Sequence, residues 1–254
     1  MDTVVEFNAV SKQYGKLPVL EDIDLAVKQD DFMVIYGLPS SGKTVLLRML
    51  MGLESPDAGD IILRGENVRH MPPKVRNIGY VPQDFALIPH KTIFENIAYP
   101  LRLIKKSTLE IKPVVQRAAS MLSIEELLDK LPTQLSGGQK QRVAVARGIV
   151  KETDIYLFDD PLAGLDFKLR ERLIDDLRQL QDEIAACFIY ATSDPIESLT
   201  LAASIAVLHN RTIAETGEPQ SIYLDPRHLS TMDILGLSLI HISEPTRLLR
   251  RSRM

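Results

Sequence analysis

The chain has no tryptophan, a single cysteine and no run approaching the ~18 consecutive apolar residues of a membrane span. Cys187 therefore cannot close an internal disulfide. Its place in the apolar run Ala185 to Ala191 reads as a small buried thiol in a protein of a reducing compartment. Without a spanning helix, any membrane association is expected to come through a partner. Met1 to Val10 carries two acidic residues and no basic segment, so it does not read as a secretory signal. Neither sign of charge dominates: 30 basic against 34 acidic residues leave a net charge of −4, which gives no electrostatic case for nucleic-acid binding. Internal repeats, heptads and low-complexity stretches are also missing, which excludes an array or a coiled coil. The histidines His70, His90, His209, His228 and His241 show no metal-ligand spacing, and His209 reads as a strand-end residue.

What is present is enough apolar material, 45% of 254 residues, for a sizeable core. Short apolar runs alternate with helical patterns: Phe32 to Tyr36 then Val45 to Met51, Ile155 to Phe158 then Lys168 to Ile184, Cys187 to Tyr190 then Pro195 to Ala202, and finally Ile205 to Leu208. Nearly continuous apolar strands between helices predict an α/β fold with a mostly parallel sheet covered on both faces. Val4 to Phe7 and Leu20 to Val27 alternate instead, which predicts an antiparallel β layer beside it. From about Ile93 to Val150 the pattern turns helical, with Val114, Val115, Ala118, Ala119, Met121 and Leu122 at helix spacing and Leu127 and Leu128 closing the segment. This predicts an inserted helical subdomain.

Gly37-Leu38-Pro39-Ser40-Ser41-Gly42-Lys43-Thr44 matches the phosphate-loop pattern G-x-x-x-x-G-K-[ST], with an apolar strand before it and a helical pattern after it. The loop's N–H groups and the helix N-terminus would form a positive cradle for phosphates, with Lys43 reaching the outer phosphates and Thr44 reaching Mg²⁺. A turn that happens to hold Gly and Lys is improbable in that context. Asp159 ends an apolar strand at the sheet edge where the phosphate loop also lies, and is assigned to orient Mg²⁺. Ser136, followed by two glycines and a helical run from Gln139 to Val150, has the chemistry of a helix N-cap with unencumbered amides; alone, that is only a capped helix.

The phosphate loop, the Leu135-Ser136-Gly137-Gly138-Gln139 run and Asp159, in that order, resemble the nucleotide-binding subunit of ATP-binding-cassette (ABC) transporters, from about Val4 to about Gly236. The resemblance implies the family's P-loop NTPase fold and the family's roles at matching positions. Tyr14, in Ser-Lys-Gln-Tyr-Gly, would stack adenine, and Gln83, in Tyr-Val-Pro-Gln, would contact metal and attacking water. Ser136, Gly137, Gly138 and Gln139 would grip the ATP held by a second subunit packed head to tail. Two phosphate-loop positions depart from the family: Ser40 stands where a third glycine is common, and Val45 where a second hydroxyl often touches phosphate. A modestly reduced nucleotide affinity is expected.

Two further departures lie in the hydrolysis centre. Asp160 stands where the family has a Glu base, one methylene longer, and Ser193 stands where it has a switch histidine. Slow turnover is expected, because a ~1 Å misplacement can cost about 10²-fold. Asp166 matches the loop that crosses the dimer interface, and Lys168-Leu169-Arg170-Glu171 resembles carbohydrate-type importers, although a solvated helix start reads the same way. The implied protein is a peripheral ATPase subunit on the cytoplasmic face of the membrane, dimerising around Mg-ATP to drive uptake of a sugar or polyol. Its partners would be transmembrane permease subunits, a second ABC subunit and, indirectly, a solute-binding protein, with no nucleic acid. The runner-up is a catalytically degenerate regulatory subunit that pairs with a competent paralogue. A soluble ABC ATPase of nucleic-acid maintenance or translation is disfavoured by the lack of a tandem cassette, long coiled coils or a basic face.

The ATP-binding domain is expected to occupy residues 1–236 and an aberrant basic tail residues 237–254. The tail carries four arginines between Ser238 and Met254 and reads either as a disordered extension or, preferably, as the conceptual translation of a sequencing adapter, with the reading frame lost near Leu237.

Overall fold

A computed structural model describes residues 2–163, 165, 167–228, 231 and 235. The expectations for Asp166 and for the segment 237–254 fall outside the described residues.

Two long strands open the chain, β1 (Thr3–Tyr14) and β2 (Leu17–Lys28), paired antiparallel through a turn at Gly15. Alternation puts Val5, Phe7, Val10, Ile23, Leu25 and Val27 on the buried side and charged residues outside, the pattern of a sheet with one wet face. A third strand, β4 (Ala58–Leu63), pairs with β1, and the short β5 (Glu66–Asn67) closes a four-stranded antiparallel sheet in the order β2-β1-β4-β5.

The second sheet runs β10-β9-β3-β8-β7-β6. Its strands β3 (Phe32–Tyr36), β6 (Gly79–Val81), β7 (Ile155–Asp159), β8 (Cys187–Thr192) and β9 (Ser204–His209) are parallel, and β10 (Thr212–Gly217) adds an antiparallel edge. Every residue of β3, β7 and β8 is buried, which is why these segments read as continuous apolar runs. Their residues divide alternately between two cores. Met33, Ile35, Ile155, Leu157, Cys187 and Ile189 pack with the antiparallel layer and with α1 (Lys43–Met51). Phe32, Val34, Tyr36, Phe158, Phe188 and Tyr190 face the other way, with the Phe158 and Phe188 rings 5.0 Å apart.

That second core continues into the helices of the predicted helical segment: α3 (Ile93–Leu103), α4 (Thr108–Met121) and α5 (Gly137–Ile149). Capping boxes start each of them, Thr92 with Glu95, Ser107 with Glu110 and Ser136 with Gln139. Helix α5 lies close on the parallel sheet because Gly148 faces Val81: a Cβ at Gly148 would stand 2.5 Å from Val81 Cγ2. The remaining helices are α2 (Pro73–Arg76), α6 (Phe167–Ile184), α7 (Pro195–Leu201) and α8 (Pro219–Leu224). Strands β4 and β10 went unforeseen in sequence, as did α8.

Four of the parallel strands converge on one place. The segments leaving the C-terminal ends of β3, β6, β7 and β8 begin with Gly37, Pro82, Asp160 and Ser193, all at one edge of the sheet. Open α/β sheets place their ligand sites at this edge.

Candidate nucleotide site

A cleft of about 490 Å³ lies at that edge, lined by Val19, Pro39, Ser40, Ser41, Gly42, Lys43, Thr44, Val45, Gln83, Asp159, Asp160 and Ser193. Residues from four strand ends thus meet at one cleft, although they lie far apart along the chain. Gly37 lies beneath the loop, where a Cβ would meet Leu208 O at 2.7 Å, and its N–H donates to Thr192 O at 3.2 Å. Gly42 adopts φ +105 directly before α1, a conformation that only glycine takes readily. Ser40 holds φ +64 although it has a Cβ, a left-handed conformation that strains any residue but glycine.

Lys43 is buried, and its Nζ donates to Gly37 O at 2.8 Å and Leu38 O at 3.0 Å. Burial pulls its pKa down against the opposing pull of Asp160 and Asp159. Neutral carbonyls are weak partners for a desolvated ammonium, and phosphate oxygens would serve it better. Ser41 Oγ is buried with no partner among the described residues, a donor free for a phosphate. Thr44 Oγ1 donates to Asp159 Oδ1 at 2.9 Å, and Tyr80 Oη donates to Asp159 Oδ2 at 3.1 Å. A hydroxyl beside one carboxylate fits Mg²⁺, which keeps water and phosphate in its shell instead of a full protein cage. No group of three or more His, Cys, Asp or Glu among the described residues could supply such a cage.

Asp160 follows the end of β7 with φ +46, and its N–H donates to Ala191 O at 2.9 Å, which ties it to β8. Burial raises its carboxyl above the ordinary carboxylate range, more than Lys43 lowers it. Ser193 lines the cleft between Thr192 and Asp194, and both neighbours are fixed from behind. Asp194 caps α7 and pairs with Arg170 at 2.5 Å, while Thr192 Oγ1 donates to the buried Glu197 at 2.7 Å. Gln83 is exposed at the rim.

Two predicted groups lie apart from these lining residues. Tyr14 is half-exposed at the end of β1, its hydroxyl bonded to Glu54, whose carboxylate is held by Arg48 at 2.6 Å. Ser136 to Gln139 sit at the start of α5, where Ser136 Oγ accepts from Gln139 N at 3.4 Å and Gln139 Oε1 accepts from Ser136 N at 3.0 Å. The Gln139 side chain is therefore committed to the cap. Gly137 is exposed, and a Cβ added there would meet nothing within 4 Å among the described residues. Tyr80 escaped the sequence reading. It sits three residues before Gln83 on a strand beside β7, and that adjacency was its only signal.

A phosphate loop between strand and helix, a carboxylate at the end of a nearby strand bonded to the loop's threonine, and a helical segment bearing a capped Ser-Gly-Gly start define an ATP-binding cassette. The ABC transporter family model matches residues 20–163, and the chain belongs to that family. Among curated proteins it is 41% identical over 249 residues to the spermidine/putrescine import ATP-binding protein PotA of Haemophilus influenzae (strain 86-028NP), covering 98% of this chain and 66% of that protein. The namesake of Thermotoga maritima is 39% identical over 232 residues, covering 91% of this chain and 63% of the other. The chain thus spans about two thirds of the length of these relatives. Among solved structures, a dimeric ATP-binding cassette in a post-hydrolysis state bound to ADP and Pi matches with a TM-score of 0.77 and 27% identity, over 85% of this chain and 98% of that one. The cbiO1 protein of Clostridium perfringens, part of the ABC transporter complex cbiONQ, matches with a TM-score of 0.81 and 25% identity, over 95% and 98%.

The names of these relatives specify spermidine and putrescine, so they lend the carbohydrate expectation no support. The stretch that prompted it has work inside the chain: Arg170 is bound to Asp194 and lies 3.6 Å from Glu197. No helix among the described residues is long and apolar enough to cross a membrane.

Proposed function

We propose that this chain is the ATP-hydrolysing subunit of an importer, peripheral to transmembrane permease subunits on the cytoplasmic face and served indirectly by a solute-binding protein. The observation that carries this reading is the convergence of Lys43, Thr44, Gln83, Asp159, Asp160 and Ser193 on one cleft. The ATP-binding unit would comprise residues 1–236, with the helical subdomain at about 93–150. Lys43 and the loop amides would take the ATP phosphates, Ser41 Oγ a phosphate oxygen, and Tyr14 the adenine. Thr44 and Asp159 would hold Mg²⁺ with help from Gln83, and the ion would neutralise charge on the phosphates. Asp160 would accept the proton of the attacking water; a carboxyl raised by burial is a stronger base than an exposed one. Ser193 offers the outer phosphate a neutral hydroxyl.

Ser136 to Gln139 are not among this cleft's lining residues, so their assigned role requires a second subunit, the same or paralogous, packed head to tail. The cargo proposed from the relatives is a polyamine. A second reading is favoured by Asp160 and Ser193 together: a subunit that binds ATP, turns it over slowly and lends its Ser136 cap to a competent paralogue.

Steady-state Mg-ATP hydrolysis beside a Lys43→Ala control, with binding checked on the same samples, tests both. Turnover that needs Lys43 supports the first reading. Binding without turnover supports the second, and no binding defeats both. For cargo, reconstituted transporter should be stimulated by a polyamine and not by a sugar.

A further inference from the structure

The loop leaving β6 carries Gln83 and then does something costly. Phe85 and Ala86 both sit in the left-handed region, φ 59 and φ 45, where a residue with a Cβ is strained and two in succession are rare. One side chain, which no sequence pattern marks, grips this left-handed pair. Arg147, near the end of α5, donates from Nη1 to Ala86 O at 2.5 Å and from Nη2 to Phe85 O at 2.6 Å. The planar guanidinium grips two successive carbonyls, which a lysine could not reproduce. Farther along, the buried Asn96 of α3 accepts from Ile88 N at 2.7 Å and donates to Ile88 O and Lys91 O at 3.1 Å. The loop is therefore pinned from two helices, and the pin nearer to Gln83 is Arg147.

Helix α5 is also the helix capped by Ser136. Thirteen residues of α-helix make a stiff rod of about 20 Å, with Ser136 at one end and Arg147 near the other. Anything that shifts the Ser136 end therefore shifts the clamp on the carbonyls two and three residues after Gln83.

We propose that Arg147 is a positioning residue for Gln83, holding the left-handed Phe85–Ala86 pair in place so that the glutamine's reach into the cleft follows the position of α5. The inference rests on the proposed ATPase reading, but its structural half can be tested without turnover. Asp84, exposed on the same loop, is the other charged group that acts on Arg147, and simple charge pairing with it is the competing explanation.

The test compares the full chain with Arg147→Gln and with the double variant Arg147→Gln/Ala86→Gly, following amide exchange of residues 84–88, ATP affinity and hydrolysis. Arg147→Gln should speed exchange at 84–88 and lower turnover by about tenfold or more, with ATP affinity within about twofold of the parent. Glycine takes the left-handed conformation without strain, so Ala86→Gly should recover most of both losses in the variant background. Charge pairing with Asp84 or a general packing defect predicts no recovery, and that result would overturn the proposal. Unchanged exchange in Arg147→Gln would do the same. Should Arg147→Gln not fold, Arg147→Lys, which can satisfy only one carbonyl at a time, replaces it with the same rescue. A parent protein that never hydrolyses ATP would defeat the ATPase reading, while the exchange measurement would still decide the clamp.

Discussion

Thr44 Oγ1 and Asp159 Oδ1 are 2.9 Å apart, a hydrogen bond between residues 115 positions apart that joins the first turn of α1 to the end of β7. Asp159's other oxygen accepts from Tyr80 at 3.1 Å, so the carboxylate is oriented on both sides before any ion arrives. Metal ligands depend on such outer partners, whose loss typically costs about 10–100-fold in affinity or activity. Tyr80→Phe keeps the ring and removes only the hydroxyl. The Mg²⁺ concentration for half-maximal hydrolysis should rise about tenfold, with thermal stability little changed. A magnesium titration identical to that of the parent would show that Tyr80 plays no part in ordering Asp159.

Gly137 has open space where a Cβ would stand, whereas Gly42 would drive one to 2.9 Å from Leu20 Cδ2. Nothing among the described residues requires glycine at position 137, the first residue of α5. Alanine there should hold or improve the stability of the isolated subunit, by up to about 1 kcal/mol. A cap that must approach a second subunit's nucleotide would be blocked by the same methyl group. Gly137→Ala should therefore keep its melting temperature and lose ATP-dependent dimerisation, as sedimentation would reveal. A variant that dimerises like the parent would remove the steric argument for this glycine.

Asp160 is anchored by its N–H to Ala191 O, so its shorter side chain cannot be offset by sliding along β7 without breaking that bond. Asp160→Glu adds the missing methylene while the anchor stays. If the base is short of its water by ~1 Å, turnover should rise by as much as about 10²-fold, with nucleotide affinity unchanged. An unaltered rate would mean that the backbone at φ +46 already delivers the aspartate to its water.

The parallel sheet was legible in sequence because β3, β7 and β8 are buried on both faces and so read as unbroken apolar runs. The phosphate loop was legible because its pattern lies between a strand and a helix. Strand β4 was not: Gly59 and Asp60 interrupt its apolar period, and it is held in place by pairing with β1 from Val5 to Ser11. Arg147 and Tyr80 stayed hidden for a different reason. Each acts on a segment more than 60 residues away in the chain, and no local period records such a contact. Asp160 and Ser193 were legible as departures from a pattern, but their anchoring comes from partners on β8, α6 and α7 that no local pattern records.

Glu197 is the buried carboxyl behind Ser193, receiving Tyr190 Oη at 2.8 Å and Thr192 Oγ1 at 2.7 Å, with Arg170 3.6 Å away and Asp194 and Asp160 also acting on it. Burial raises its pKa above the ordinary carboxylate value, and the two hydroxyl donors only partly oppose that. The folded protein therefore holds this proton more firmly than the unfolded chain does. Below the ordinary value both states are protonated and the group's stabilising contribution is complete. As pH rises past it the unfolded chain ionises first, and the contribution is lost through the raised native pKa. Glu197→Gln keeps the shape and cannot ionise. Whatever the lost hydrogen-bond geometry costs, the stability of the variant relative to the parent should improve between pH 4.5 and pH 8, taking 4.5 as the ordinary glutamate value. Denaturant midpoints at the two pH values measure this, and parallel changes in both proteins would mean that Glu197 titrates alike folded and unfolded.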